Sequence, residues 1–395
     1  MVNDFSYYTP TRVVFGKNAE AQVGYLIKEQ KASKVLVHYG SESAIKSGLL
    51  ERVTENLKKH GIAYVTLGGV LPNPRLSKVY EGIALGKKEG VDFILAVGGG
   101  SVIDSCKAIG YGLFDDGDVW DYYIKTRPIT GCLPIGAVLT LAAAGSEMSD
   151  SSVITNEIDW LKRDAVSNSS RCRFSIMNPE LTYTLPYYQT MCGVVDTLMH
   201  TMERYFLANG TMMLTDEIAE GLMRTVRHCG YTLKEDPNNY DSRANLMWAS
   251  SLSHNGLTGA GNSAGGDWAS HQIEHEMGGM FDVAHGAGLS AVWDSWARYV
   301  YRNNPERFVR LGEKVFDVSV SGNVEEDALQ SIDVIKQFFK DIDMPTNFKE
   351  LGIVPTDQQI EEMADKATYF GKRTIGDFMI LGKSEIIDIY NLAAK

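Results

Sequence analysis

FILAVGGGSVID, residues 93–104, decides the fold of this chain. A short apolar run ends in glycine, and a polar-apolar stretch, VIDSCKAIGYG (102–112), follows at helical spacing. That is a strand, a tight turn and a helix. Working outward, the same punctuation recurs in VLVHYG (35–40), AYVTLGG (63–69) and CLPIGAV (132–138). Longer mixed stretches lie between these runs, SAIKSGLLERVTENLKKHG (43–61) and LSKVYEGIALGKKEG (76–90). In the second, Val79, Ile83 and Gly86 fall on one helical face. An alternation of strand and helix predicts a mostly parallel sheet with helices on both faces, whose ligands bind beyond the carboxyl ends of the strands.

The character changes near Pro186. Seven of the 11 prolines lie at or before it, and six of the 8 histidines lie after it. Beyond it come long helical patterns, TDEIAEGLMRTVRHCG (215–230), where Gly230 is expected to cap a helix, and ALQSIDVIKQFFKDI (328–342). We therefore expect an α/β dinucleotide-binding domain over 1–186 and an all-helical domain over 187–395, with a cleft between them. The 395 residues are enough for two such cores. Asp and Glu outnumber Lys and Arg by 50 to 38, a net charge of −12, which argues against nucleic acid or an anionic membrane as partner. No apolar run is long enough to span a bilayer, and the start, MVNDFSYYTPTR, lacks the pattern of a secretion signal. The 5 cysteines are scattered and never form a C-x-x-C pair, so they read as reduced thiols in a cytoplasmic protein.

Glycines at 98–100 let backbone N–H groups approach a phosphate at a helix N-terminus. The motif lacks the third glycine of the usual dinucleotide fingerprint, since Ile103 stands there, and no Gly-Lys-Ser/Thr follows. It serves equally as a plain strand-to-helix turn. A second small-residue segment, TLAAAGSE (140–147), admits a flat ring or a phosphate, or simply packs as a buried turn. At the tip of the 35–40 strand stand Gly40 and Ser41, where an NAD enzyme usually places a carboxylate for the ribose 2′-hydroxyl. That absence leaves room for a 2′-phosphate, with Glu42 one residue beyond as the counter-argument.

Asp196 and His200 are four apart in GVVDTLMHTMERYF, so both leave one face of a helix. His271 and His275 repeat that spacing, and His285 follows ten residues on. One such histidine is usually structural; two helix-spaced pairs and a fifth residue are better explained by a metal. An Asp with His nitrogens suits Fe(II), Zn, Co or Mn, and Glu274 and Glu276 stand ready as acceptors behind the imidazoles.

Together with YYTPTRVVFGK (7–17), PNPR (72–75), GSEM (145–148) and RANLMWASSL (243–252), these motifs make the chain resemble the iron-containing alcohol dehydrogenases, almost end to end. It looks most like their NADPH-dependent butanol dehydrogenase branch, with a dehydroquinate synthase-like architecture. The resemblance implies that Asp196, His200, His271 and His285 bind the metal, Fe(II) or Zn(II). It places His275 near the substrate as a proton shuttle, a role equally open to a purely structural histidine. It implies that Gly98, Gly99, Gly100, Ser101 and Asp104 hold the pyrophosphate and nicotinamide side of the cofactor. Asn73, Thr140, Leu141, Ser149 and Lys162 match further cofactor contacts, and Gly40 and Ser41 the 2′-phosphate. Two positions depart from the family: Ala144 stands in place of a threonine, removing one cofactor hydrogen bond, and Cys192 in place of a small alanine. The implied activity is hydride transfer between NADP(H), in preference to NAD(H), and a small or medium primary alcohol or aldehyde, in a homodimer. Two rivals are a dehydroquinate synthase-like lyase and a non-catalytic interaction protein. The stretch between Asp196 and His285 is poor in the basic residues that a phosphorylated substrate would need. An intact ligand set speaks against the second rival.

Overall fold

The structure, a computed structural model, describes residues 3–40, 42–208, 212–262 and 265–395. They fall into two compact units. Tyr8–Leu185 forms one; Pro186–Lys395 forms the other and takes in the residues up to Tyr7. Asn3 is tied there by its side-chain amide, which donates to the Gly261 carbonyl at 3.2 Å.

The first unit is built on a parallel sheet of six strands: β1 Arg12–Phe15, β2 Lys34–Gly40, β3 Ala63–Val70, β4 Phe93–Gly98, β5 Ile135–Leu139 and β8 Phe174–Met177. Their order is β1-β8-β5-β4-β2-β3. The four glycine-punctuated runs of the sequence become β2 to β5. β4 is buried along its whole length, as an uninterrupted apolar strand must be. Helices α1 Val23–Glu29, α2 Leu49–Lys59, α3 Leu76–Glu89 and α4 Gly100–Phe114 cover the sheet. Val35 and Val37 of β2 and Leu95 and Val97 of β4 pack with Leu26, Ile27, Val53 and Leu57 in one core. An antiparallel hairpin, β6 Ser151–Asn156 and β7 Leu161–Val166, stands apart from the sheet.

Chain order places the ligand edge. From β2 the chain moves outward to β3, then returns to β4 on the other side of β2 and continues to β5 and β8. The direction of winding reverses between β2 and β4, which is where a doubly wound sheet opens a crevice at its carboxyl edge.

The second unit is helical. Its principal helices are α5 Tyr187–Tyr205, α6 Met213–Glu235, α7 Tyr240–His254, α8 Ala269–Phe281, α9 His285–Val300, α10 Pro305–Phe316, α11 Val324–Asp341, α12 Asp357–Ala367 and α13 Lys383–Ala393. Gly230 does not end a helix: α6 continues to Glu235. A Cβ on Gly230 would lie 3.2 Å from Val194 and from Phe338, so the glycine serves close packing against α5 and α11. All five cysteines are buried and free. No helix among the described residues is long and apolar enough to cross a membrane.

Candidate metal centre and cofactor cradle

α5 is buried over most of its length because Val194, Val195, Leu198, Met199 and Met202 surround the two polar residues it carries inward. Asp196 and His200 lie one turn apart on it, His271 is in the first turn of α8, and His285 opens α9. From Asp196 Oδ1 it is 3.3 Å to His200 Nδ1, 3.6 Å to His285 Nε2 and 3.8 Å to His271 Nε2. Asp196, His200 and His271 offer ligand atoms that all lie within 4.8 Å of one another.

The decisive feature is what these atoms lack. Asp196 Oδ1, His200 Nδ1 and His271 Nε2 are buried, yet none makes a hydrogen bond. Buried polar atoms are nearly always paired, and an unpaired one is expensive. Three that converge on one point are donors waiting for a cation, so the residues fit the metal that the sequence implies.

The outer layer supports that fit. Glu203 Oε1 accepts from His271 Nδ1 at 2.9 Å and from the His271 backbone N–H at 3.0 Å. Glu274 Oε2 accepts from His285 Nδ1. Each carboxylate leaves the Nε2 lone pair facing Asp196. Burial pulls the His271 pKa down, but Asp196 and Glu203 outweigh it and raise it to about 9, a measure of how strongly this point calls for positive charge. His200 is pushed well below its usual value, first by burial and then by the neighbouring His254 and His271, so its imidazole is neutral and free to ligate. His275 is half-buried one turn beyond His271, with its ring centroid 5.9 Å from that of His285. Glu203 was not among the residues the sequence pointed to. A signal existed, since Asp196, His200 and Glu203 fall at i, i+4 and i+7 on one helical face.

In the sheet unit, Gly40, Asn73, Gly98 and Thr140 stand at or just beyond the carboxyl ends of β2, β3, β4 and β5 in turn. Gly40 and Gly98 thus flank the reversal point. Thr140 N–H donates to the Gly98 carbonyl at 3.1 Å, joining the two small-residue segments. A Cβ on Gly99 would lie 2.9 Å from Leu141 Cβ, so packing alone already requires this glycine. Gly100 and Ser101 begin α4. The Asp104 carboxylate is held by Ser146 Oγ at 2.5 Å and by Val153 N–H at 3.0 Å. Ser149 is buried under the Lys107 ammonium, which donates to its hydroxyl at 3.1 Å and to the carbonyls of Ser146, Ser149 and Ser151. Asp104 and Lys107 together clamp the segment that leads into β6. Asn73 is buried in the left-handed region at φ 52°, and Thr155 N–H donates to the adjacent Pro74 carbonyl at 2.8 Å. Lys162, buried on β7, pairs across the hairpin with that same Thr155. Ser41 lies outside the described residues.

Comparison with known proteins identifies the family. Residues 10–179 match the family model for iron-containing alcohol dehydrogenase, and residues 190–394 match that for the Fe-containing alcohol dehydrogenase family, C-terminal. A probable NADH-dependent butanol dehydrogenase of Bacillus subtilis strain 168 is 38% identical, covering 98% of this chain and 99% of its own. An NADPH-dependent aldehyde reductase of Escherichia coli K12 is 33% identical over 89% of this chain and 90% of its own. The crystal structure of an NADH-dependent butanol dehydrogenase A from Thermotoga maritima superposes with a TM-score of 0.95 at 39% identity, covering 100% of this chain and 99% of that one.

Proposed function

The chain belongs to the iron-containing alcohol dehydrogenase family and is an alcohol dehydrogenase or aldehyde reductase using a nicotinamide cofactor; from that premise we propose how its residues divide the work. Asp196, His200, His271 and His285 hold a divalent ion, Fe(II) or Zn(II), against the middle of α5. The observation that carries this is the convergence of three buried, unbonded ligand atoms. When bound, the ion supplies Lewis acidity toward the oxygen of a small or medium primary alcohol or aldehyde of the butanol type. A nicotinamide held by the sheet unit would supply the hydride chemistry. Glu203 and Glu274 keep the Nδ1 protons of His271 and His285 in place, so that both rings present a lone pair. His275 lies one turn beyond His271 on α8 with its ring 5.9 Å from that of His285, and it takes or gives the substrate hydroxyl proton at a ring nitrogen. We assign the cofactor to Gly40, Asn73, Gly98, Gly99, Gly100, Ser101, Asp104, Thr140, Leu141, Ser149 and Lys162, and, on the sequence alone, to Ser41. The test is NADPH oxidation with butanal, followed at 340 nm on chelated protein and after return of Fe(II) or Zn(II). We expect activity only with the ion present, and full activity in stoichiometrically metal-free protein refutes the reading.

Within this reading the cofactor is NADP(H) in preference to NAD(H). Support comes from the β2 tip, where Gly40 offers no carboxylate to repel a 2′-phosphate. The relatives divide, since the butanol dehydrogenases above are named for NADH and the aldehyde reductase for NADPH. A Cβ at Gly40 would meet nothing nearer than 3.9 Å, so Gly40→Asp introduces the missing carboxylate without a clash. It should move preference toward NADH. A higher kcat/KM with NADH in the unmodified enzyme overturns the assignment. Five buried free thiols suit a reducing cytoplasm, and a homodimer is the expected assembly, to be checked by light scattering.

A further inference from the structure

His271 and His285 each have a carboxylate behind the ring, but His200 has none: among the described residues no hydrogen bond reaches its second ring nitrogen. Something else must fix the plane of that imidazole. Three side chains outside the ligand set surround it. The His254 ring, at the end of α7, lies 4.1 Å from the His200 ring at 47°. Trp268, just before α8, has its ring 6.0 Å from His200, 5.7 Å from His254 and 5.4 Å from His271. Arg204, one turn beyond His200 on α5, lays its guanidinium 4.5 Å over the Trp268 ring. Its Nη1 donates to the carbonyls of His200 and Ser253, both at 3.1 Å, and its Nη2 reaches His254 Nδ1 at 3.3 Å. Arginine has no acceptor, so His254 must accept at Nδ1 and carry its proton on Nε2. Trp268 is held in the left-handed region at φ 60°, a conformation that a bulky residue keeps only where its surroundings enforce it.

We propose that Arg204, His254 and Trp268 form a brace that fixes the His200 ring, taking the place of the carboxylate that the other histidines have. They are positioning residues, and the brace sets how tightly the Asp196–His200–His271 site holds its ion. This rests on the metal reading above. The experiment measures Zn(II) affinity by chelator competition and records the visible d–d bands of the Co(II)-loaded protein. His254→Ala should weaken Zn(II) binding roughly 10–100-fold, the usual effect of losing an outer-layer partner, and should alter the Co(II) bands with cooperative unfolding retained. His254→Phe keeps a ring against His200 and should restore most of the affinity. Parental affinity and parental Co(II) bands in His254→Ala overturn the brace, provided Asp196→Ala loses the ion. If Asp196→Ala also binds like the parent, the metal site itself is misassigned and the brace falls with it. Should His254→Ala not fold, Arg204→Lys decides: it keeps the charge but loses the planar fork, and undiminished Zn(II) binding there rejects the proposal.

Discussion

At the residue scale, two histidines of this chain illustrate how environment separates roles. His275 sits beside the ligand set without joining the converging atoms, so removing it should spare the ion and slow the chemistry. We expect His275→Ala to keep stoichiometric metal by elemental analysis while kcat falls by about 10²-fold, the range of a lost acid–base group. Metal loss in that variant would make His275 a ligand instead. His38 is fully buried in β2, with Nδ1 2.7 Å from the Leu67 carbonyl and Nε2 2.9 Å from Ser105 Oγ. Burial pulls its pKa down to about 4; the Leu67 bond opposes this, Lys78 adds to it and Glu81 counters. A folded pKa below the unfolded value of about 6.5 means that its contribution is present above pH 6.5 and is lost as the pH falls toward 4. The full shift is worth about 3 kcal/mol. Urea unfolding at pH 7 and pH 4.5 should therefore show a smaller acid loss for His38→Gln than for the parent. Equal losses would mean that another group carries the acid sensitivity. The burial of His38 was not legible in the sequence; for His275 the i, i+4 spacing gives no sign of which ring turns inward, and only the family resemblance set it apart from His271.

Elements show where a one-dimensional reading succeeds and where it stops. β2 to β5 are legible because strands covered on both faces are apolar throughout and end in glycine. β1 and β8 are four residues each and too short to carry a pattern. The β6–β7 hairpin is missed because SSVITN and LKRDAV mix polar residues into both faces. In the helical unit, spacing pointed to Asp196 with His200 on α5 and to His271 with His275 on α8, but no spacing says that α9 meets α5; only the family resemblance joined His285 to Asp196. Gly286 allows that meeting: a Cβ there would lie 2.2 Å from the Cys192 carbonyl oxygen on α5. Backbone cannot give way as a side-chain tip can, so Gly286→Ala must push α9 outward and carry His285 away from Asp196. We expect a stability loss of about 1–3 kcal/mol, the usual range for overpacking, together with weaker Zn(II) binding. Unchanged binding with the stability loss present would show that His285 is dispensable to the site.

Across the whole molecule, the proposed ion and cofactor belong to different units, and thermal unfolding can separate them. A ligand that binds only the folded state adds about 2.7 kcal/mol at one hundred times its Kd. For folded units of roughly 150–250 residues each kcal/mol moves Tm by about 2–4 °C, so either ligand should raise Tm by roughly 5–10 °C. The helical unit carries three buried ligand atoms with no hydrogen-bond partner, and chelation should therefore lower its stability. Asp196→Ala removes one donor and should abolish the response to Zn(II) while leaving the response to NADPH intact. Gly40→Asp should do the reverse, keeping the Zn(II) shift and exchanging the NADPH shift for one with NADH. The pattern follows from Asp196 and Gly40 lying in separate compact units, each with its own core. If Asp196→Ala instead loses the NADPH shift, the cofactor is read through the metal residues, and the division of labour proposed for the two units is wrong.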